Sequence, residues 1–361
     1  ILMEGVKRDR LVWIGDMHPE VSTISAVFGY DDCVENSLDF VKEETPAECW
    51  MNHMPVYSMW WMIIQYDWYM QNGDFSYLCE QKEYMIALMD HAVEWMQGLN
   101  LLQDKIFVDW SSFDDLEVSR IGEYAIFCMA MDAGEKVFHL LGEKEKATKC
   151  RETRISIQNM NHQIPNHKQI AALCALAGLG DAVRINDEVL AVEPLQRLST
   201  FLGYYVLIAR AKAGDMEGAL EVIRKYWGAM LEMGATTFWE DFDINWVENA
   251  GRIDEIVPTG QKDIHGDFGK HCYQQFRHSL CHGWASGPTT FLSQYVLGVH
   301  ILEPGCRKVK IAPVLGDLNW VKGTYPTPFG NISIMHTKKE NGKIETIVHA
   351  PEQVHVVMKN K

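Results

Sequence analysis

The sequence predicts a mainly α protein, a series of antiparallel helical hairpins that ends in a small antiparallel β-sandwich. Three observations predict it. Apolar residues recur at helical spacing from about Pro19 to His300, glycine–acid junctions interrupt that run, and strict alternation takes over after Glu303-Pro304-Gly305.

Helices are expected near 19–29, 32–44 and 55–72. The next, near 76–98, is read from the stripe Leu78, Met85, Leu88, Met89, Ala92, Trp95, Met96 and Leu99. Another, near 117–141, carries Tyr124, Phe127, Met131, Phe138 and Leu141 on one face. Six more follow near 145–162, 167–179, 183–192, 198–213, 216–232 and 276–299, which makes eleven. Gly73-Asp74, Gly180-Asp181 and Gly214-Asp215 punctuate them, with Gly142-Glu143 a looser version. Glycine tolerates the left-handed conformation just past a helix, and an Asp after it caps the next one. Junctions this short make antiparallel neighbours. The hairpins share no repeated motif, so a short-period solenoid is excluded.

Long loops rich in Trp, Asp and Glu lie at 1–18, 103–116 and 233–275. Loops of that length within a compact helical domain are usually functional. Past residue 305, Val309 and Ile311 alternate with lysines, Ile332 and Ile334 alternate with Asn331 and Ser333, and Asn341-Gly342 is a hairpin turn signal. The expected division is a helical unit over 1–300 and a β unit over 301–361. So few strand residues need the helices to pack on.

Composition narrows the function. With 361 residues, 47% apolar and 23% charged, the chain can bury a sizeable core. Its net charge of -16 and the absence of a basic block argue against nucleic acid and anionic membrane as partners. No run of about 18 apolar residues suggests a membrane span. The nine cysteines are scattered, with no CxxC pair. They read as buried free thiols and lean toward a reducing, cytoplasmic compartment. With no phosphate loop, nucleophile elbow or HExxH, no metal or cofactor is expected.

Four clusters are candidates for chemistry. Glu4, Asp9 and Asp16 lie within thirteen residues, interleaved with Arg8, Arg10 and Trp13. Glu240, Asp241 and Asp243 flank Trp239, His282 precedes Trp284, and Asp109 precedes Trp110. From the residues alone, the first is either a salt-bridged solvated loop or a sugar site. The second is either a helix-end cluster or a site, the histidine is a satisfied core residue or a ligand-binding one, and Asp109-Trp110 is at its plainest a loop anchor. Two carboxylate–Trp clusters on long loops of one helical body point toward glycoside hydrolysis, where two acids flank the scissile bond.

Four segments resemble one family. Lys7-Arg-Asp-Arg-Leu-Val-Trp-Ile-Gly-Asp16 resembles the acid motif of the bacterial α-L-rhamnosidases, glycoside hydrolase family 78. Gly234 to Glu240 is similar to that family's base segment, and Ser279 to Pro288 to its histidine segment. Lys308 to Pro313 with Gly323 to Gly330 resembles its C-terminal β-domain. The four occur in family order and span nearly the whole chain. The resemblance implies an (α/α)6 six-hairpin toroid and inverting hydrolysis of terminal α-L-rhamnosides without a cofactor. It implies Asp9 as general acid and Glu240 as the base that activates water. Glu4, Arg8, Asp16 and His282 would hold sugar hydroxyls, and Trp13, Tyr57 and Trp110 would line the pocket. The chain departs from the common pattern in Glu4, where many members carry Asp, in Asp9, where many carry Glu, and in Tyr57, where many carry Trp. The alternatives are an inverting glycosidase for another sugar and a sugar-binding remnant without turnover. A six-hairpin toroid has twelve helices, and eleven are counted. The expectation is therefore a chain that continues a longer protein, or one that lost its first helix, with an apolar groove between the first and last hairpins.

Overall fold

The computed structural model describes residues 1–5, 7–98 and 106–358. Leu99 of the predicted stripe and the start of the 103–116 loop lie outside the described residues, as does the end of the β unit past 358.

Among the described residues eleven helices form, matching the eleven expected. They are α1 (Met17–Val27), α2 (Asp32–Glu44), α3 (Pro55–Asn72), α4 (Phe75–Gln97), α5 (Leu116–Leu140), α6 (Lys144–Gln158), α7 (Lys168–Ala177), α8 (182–190), α9 (Gly203–Lys212), α10 (216–232) and α11 (287–296). The helices α8, α10 and α11 each include a stretch of π-type turn.

The odd-numbered helices touch in sequence, and α11 returns to α1, so six inner helices close a ring. The even-numbered five stand outside it as the second helices of hairpins. Burial follows this division. Most residues of α3 and nearly every residue of α7 are buried, whereas α2 and α6 bury one face. The fold is an (α/α)6 toroid, with five outer helices among the described residues.

Three junctions work as their sequence suggests. Asp74, Asp181 and Asp215 accept the N–H groups of Tyr77, Arg184 and Gly218 at 3.0, 2.8 and 3.0 Å. Gly73 ends α3 at φ +74 and lies against the backbone of Gly305, where a side chain would not fit. Two details differ. The left-handed glycine that ends α7 is Gly178, since the helix stops at Ala177, three residues before Gly180. Glu143 caps nothing and pairs with Lys82 instead. The helix expected over 276–299 begins only at 287. The backbone of 271–286 is drawn into 3-10 turns by bonds such as His282 N–H to Phe238 O at 3.1 Å. The helix expected from 198 begins at Gly203.

A short parallel pair, β1 (Ala250–Gly251) with β2 (Lys262–Asp263), braces the long loop after α10. The C-terminal strands make two three-stranded sheets. One is the antiparallel meander β5 (Trp320–Thr327), β6 (Gly330–Lys338) and β7 (Ile344–His349). The other orders β3 (Val299–Glu303), β4 (Lys308–Ile311) and β8 (His355–Met358). In that sheet β8 runs parallel to β4, because the chain crosses from one sheet to the other after β7 and reaches β4 from the same end. Both sheets share a core of Val299, Val309, Ile311, Tyr325, Ile332 and Ile334, which also takes in Ala26 of α1. Gln71 of α3 ties the layers together, accepting Tyr325 O–H at 2.9 Å and donating to Pro326 O at 3.1 Å.

All nine cysteines are free, as expected. Only Cys128, Cys150, Cys174 and Cys306 are buried, while Cys49, Cys79 and Cys281 are exposed. Among the described residues no helix is long and apolar enough to cross a membrane.

Candidate active site

The inner helices put their N-terminal ends at one mouth of the ring. Residues just before or at the start of α1, α3, α5 and α11 line a cavity of about 290 Å³ there: Trp13 and Asp16, Met54 and Tyr57, Phe107, Trp110 and Phe113, and His282 and Trp284. The loop before α1 and the loop after α10 complete it with Arg8, Asp9, Glu240, Cys272 and Tyr273. Eight of the nine residues singled out in the sequence line this cavity. The ninth, Glu4, lies behind His282 and not in the wall.

The first loop is folded back on itself. Glu4 bridges to Leu11, and Gly5 O accepts the N–H groups of Arg8 and Asp9 at 2.6 and 2.9 Å. The turn aims Arg8 inward and leaves Asp9 at the rim, with side chains 6% and 38% exposed. Asp16 sits at the N-cap of α1 but makes no capping bond. Its carboxylate turns instead to Tyr57 O–H at 3.4 Å and His282 Nε2 at 3.3 Å. A cap worth about 1 kcal/mol is thereby diverted to the cavity.

Glu240 is the most enclosed of the carboxylates, its side chain 1% exposed. Arg8 Nη1 donates to Glu240 Oε2 at 2.8 Å, and Nη2 pairs with Oε1. Ser279 N–H donates to Oε2 at 2.9 Å. The backbone of Glu240 is held as firmly, since its carbonyl accepts Thr200 O–H at 2.6 Å and Trp284 Nε1–H at 2.9 Å. The same Arg8 guanidinium places Nε 3.9 Å from Asp9 Oδ2. Both carboxyls of the expected acid–base pair therefore meet one cation, which also lies over the Tyr273 ring.

His282 is ringed by carboxylates. Nδ1 lies 3.1 Å from Glu4 and 3.6 Å from Glu240, and Nε2 lies 3.3 Å from Asp16. Burial alone would lower the imidazole pKa. The Asp16 hydrogen bond and the surrounding negative charge outweigh that, and the net direction is upward. Burial pushes Asp16 up to about 6, with His282 opposing the rise. Arg8 is shifted upward because Glu240 more than offsets its burial.

The remaining wall is aromatic. Trp13 meets the Tyr57 ring edge-on at 6.2 Å, Tyr57 meets Phe107, and Phe107, Trp110 and Phe113 pack on one another. Trp110 also stacks on His271 at 4.9 Å. Beyond Trp110, Tyr273 and Trp284 lies a second cavity of about 390 Å³, with Asp109, Lys168, Thr200 and Asp241 in its walls. Trp110 and Glu240 are the only predicted site residues it shares. Burial, then the charge of Asp109, raises Asp241 to about 6. Among the described residues no group of three or more His, Cys, Asp or Glu is placed to hold a metal ion.

Residues 298–359 match the family model for the bacterial alpha-L-rhamnosidase C-terminal domain. Solved structures share the architecture of the chain well beyond that segment. A GH78 family rhamnosidase of Bacillus sp. GL1 superposes with a TM-score of 0.74 at 21% identity, over 97% of this chain and 39% of its own. An α-L-rhamnosidase from Aspergillus terreus gives 0.69 at 16%, over 97% and 43%. One from Streptomyces avermitilis, solved with L-rhamnose, gives 0.70 at 15%, over 97% and 35%. The chain has the fold of the GH78 rhamnosidases. It spans about two fifths of the length of the chains it matches. No curated protein matches it.

Within that fold, the sequence reading passed over several residues that the structure brings to the cavity. Tyr273 and Cys272 come from the long loop after α10, where no periodicity marks them. Phe107 and Phe113 flank the Asp109-Trp110 pair. Glu20, in the first turn of α1, is 6% exposed and lies against Glu4 and Gly283. An acidic residue there reads in sequence as an ordinary complement to the helix dipole. Only the fold shows it facing inward.

Proposed function

We propose that this chain hydrolyses terminal, non-reducing α-L-rhamnosyl residues with inversion, with Asp9 as general acid and Glu240 as general base. One observation carries the reading. A rim carboxyl, Asp9, and an enclosed carboxylate, Glu240, meet the same guanidinium on the wall of a single cavity whose remaining lining is largely aromatic. In this reading sugar hydroxyls take over the N–H groups of Arg8 as substrate enters, and Glu240 is released to accept a proton from water. That water attacks the anomeric carbon while Asp9, at the rim where a leaving group departs, protonates the glycosidic oxygen. Asp16 and His282 hold hydroxyls, and Trp13, Tyr57 and Trp110 flank the ring. Glu4 supports His282 from behind. The comparisons support the substrate class, since the solved structures that share the fold are rhamnosidases.

A second reading, sugar binding without turnover, is favoured by one feature: Arg8 engages both oxygens of Glu240. The test is hydrolysis of p-nitrophenyl α-L-rhamnoside beside other p-nitrophenyl glycosides, followed by proton NMR before mutarotation. β-L-rhamnose appearing first is the expected result. The α-anomer first would require a covalent intermediate and overturn the role of Glu240. Rhamnose binding with no turnover would establish the second reading.

A further inference from the structure

Directly behind His282 lies a pair of buried acids, Glu4 and Glu20. Glu4 is 8% exposed and Glu20 6%. Glu4 Oε1 accepts Gly283 N–H at 2.9 Å, and Oε2 lies 3.1 Å from His282 Nδ1. Both oxygens of Glu20 are shut away from solvent, and among the described residues neither accepts a hydrogen bond or meets a cation. A Cβ on Gly283 would overlap Glu20 Oε1 and fall 2.5 Å from Glu4 Oε1, so the two carboxyls press on the same point of backbone. Two carboxylates cannot share so small a dry space as anions, because burial and mutual repulsion both penalise the second charge. One proton relieves both, since a protonated acid has an O–H to donate and its neighbour has lone pairs to receive it.

We infer that Glu20 is a positioning residue: it stays protonated, donates its O–H to Glu4, and so holds the pair at a single negative charge that fixes His282 and Gly283 against the sugar site. Its protonation follows its surroundings. Burial first, then the neighbouring Glu4 and Asp16, raises its pKa well above the ordinary carboxyl range. The ionisable groups around it are Glu4 from the first loop, Asp16 from the N-cap of its own helix and Cys33 from α2, with His282 beyond Glu4. Loss of the proton would set two anions side by side and drive Glu4 from its two contacts. His282 would then lose one of its three carboxylate neighbours, and Gly283 N–H its acceptor.

The inference rests on the proposed function for its catalytic consequence but not for the pair itself, so two readouts separate them. Glu20→Gln keeps a donor toward Glu4 and cannot ionise, whereas Glu20→Ala removes the donor. A buried acid with a raised pKa supports folding fully below its unfolded pKa, and that support is lost as pH rises through the folded value. The melting temperature of Glu20→Gln should therefore gain on the wild type steadily from about pH 4.3 upward. In turnover of p-nitrophenyl α-L-rhamnoside, Glu20→Ala should lose on the order of ten- to a hundred-fold in kcat/KM. Glu20→Gln should recover most of that loss and lack the wild type's alkaline fall. A melting difference that stays flat with pH, or a Gln variant as impaired as Ala, would overturn the assignment. Should neither variant fold, carboxyl-carbon NMR decides, with Glu123, a buried glutamate also raised to about 7, replaced by Gln: a glutamate signal still in its protonated position at neutral pH supports the pair, and its absence removes it. If the melting difference grows with pH but the wild type cleaves no rhamnoside, the pair stands and the proposed activity falls.

Discussion

Arg8 is the residue whose removal reports most directly on the site. Its side chain and that of Glu240 are 6% and 1% exposed, and they form a two-point ion pair. Arg8→Ala leaves Glu240 with a single backbone donor, Ser279 N–H, and only the His282 imidazole, 3.6 Å away and itself shared with Glu4 and Asp16, to offset its charge. Breaking a buried pair from one side typically costs 3–5 kcal/mol, because the remaining charge is stranded. The cavity admits water to part of this pair, which puts the expectation at the lower end, about 3 kcal/mol, or a fall in Tm of roughly 4 °C for a chain of this length. Removing both charges should cost less. Arg8→Met with Glu240→Gln replaces the pair by groups of similar shape and strands nothing, so its Tm should recover most of the fall. Denaturant melts of the single and double variants measure the coupling, and kcat/KM measured on the same samples should fall for both. A single variant within about 1 kcal/mol of the wild type would refute the reasoning, since so small a loss is what an exposed pair gives. So would a double variant no more stable than the single.

Three further outcomes follow from the same geometry. Asp9→Asn and Glu240→Gln should each lower kcat by roughly two to four orders of magnitude, with the acid variant losing least on good leaving groups. Equal losses of Asp9→Asn across leaving groups would remove Asp9 from that role. Asp16, raised to about 6, should set the acid limb of kcat/KM, which Asp16→Asn abolishes along with much of the activity. Stability should move the other way. The raised Asp16 supports folding fully below its unfolded value of about 3.9 and loses that support as pH rises through about 6, so melts at neutral pH should show Asp16→Asn the more stable protein.

Much of this was legible because the chemistry sits on loops and the scaffold on periodic helices. The stripe through Leu78, Met85, Leu88 and Ala92 forms the buried face of α4, and three Asp caps close the junctions where they were placed. Asp9, Asp16, Glu240 and His282 stand out as reactive types beside tryptophan, and the fold gathers them from positions more than two hundred residues apart. What escaped depends on contacts no local pattern carries. The start of α11 is set by bonds from His282 and Gly283 to Phe238 and Glu4. The parallel β8 is set by which sheet edge was free after β7. Glu4 is held off the wall by Gly283 N–H and His282, residues that no pattern local to Glu4 could point to.

The two faces of the cavity give the substrate reading its sharpest test. On one side stand Arg8, Asp16, Glu240 and His282, each able to accept or donate to a hydroxyl. Away from them stand Met54, Phe107, Trp110 and Phe113, the three rings packed on one another, with Tyr57 joining the two groups through its O–H to Asp16. A 6-deoxy sugar has the same division, with hydroxyls around the ring and a methyl at C6. If that methyl meets the aromatic side, a 6-hydroxyl would have to give up water there for no partner. That costs about 1–3 kcal/mol, or roughly ten- to a hundred-fold in kcat/KM. A 6-carboxylate should fare worse still. It would be stripped of water beside a ring of acids, with Arg8 already committed to Glu240 and His282 enclosed by three carboxylates. The α-L-rhamnoside should therefore be cleaved faster than the matching α-L-mannoside, which differs only by the C6 hydroxyl. Replacing Phe107 by His should narrow that gap, because an imidazole where a ring without polar atoms now stands gives the hydroxyl a partner. Equal rates on the two glycosides would mean that the aromatic wall does not read C6, and would return the choice of sugar to the other inverting glycosidases such a toroid can house.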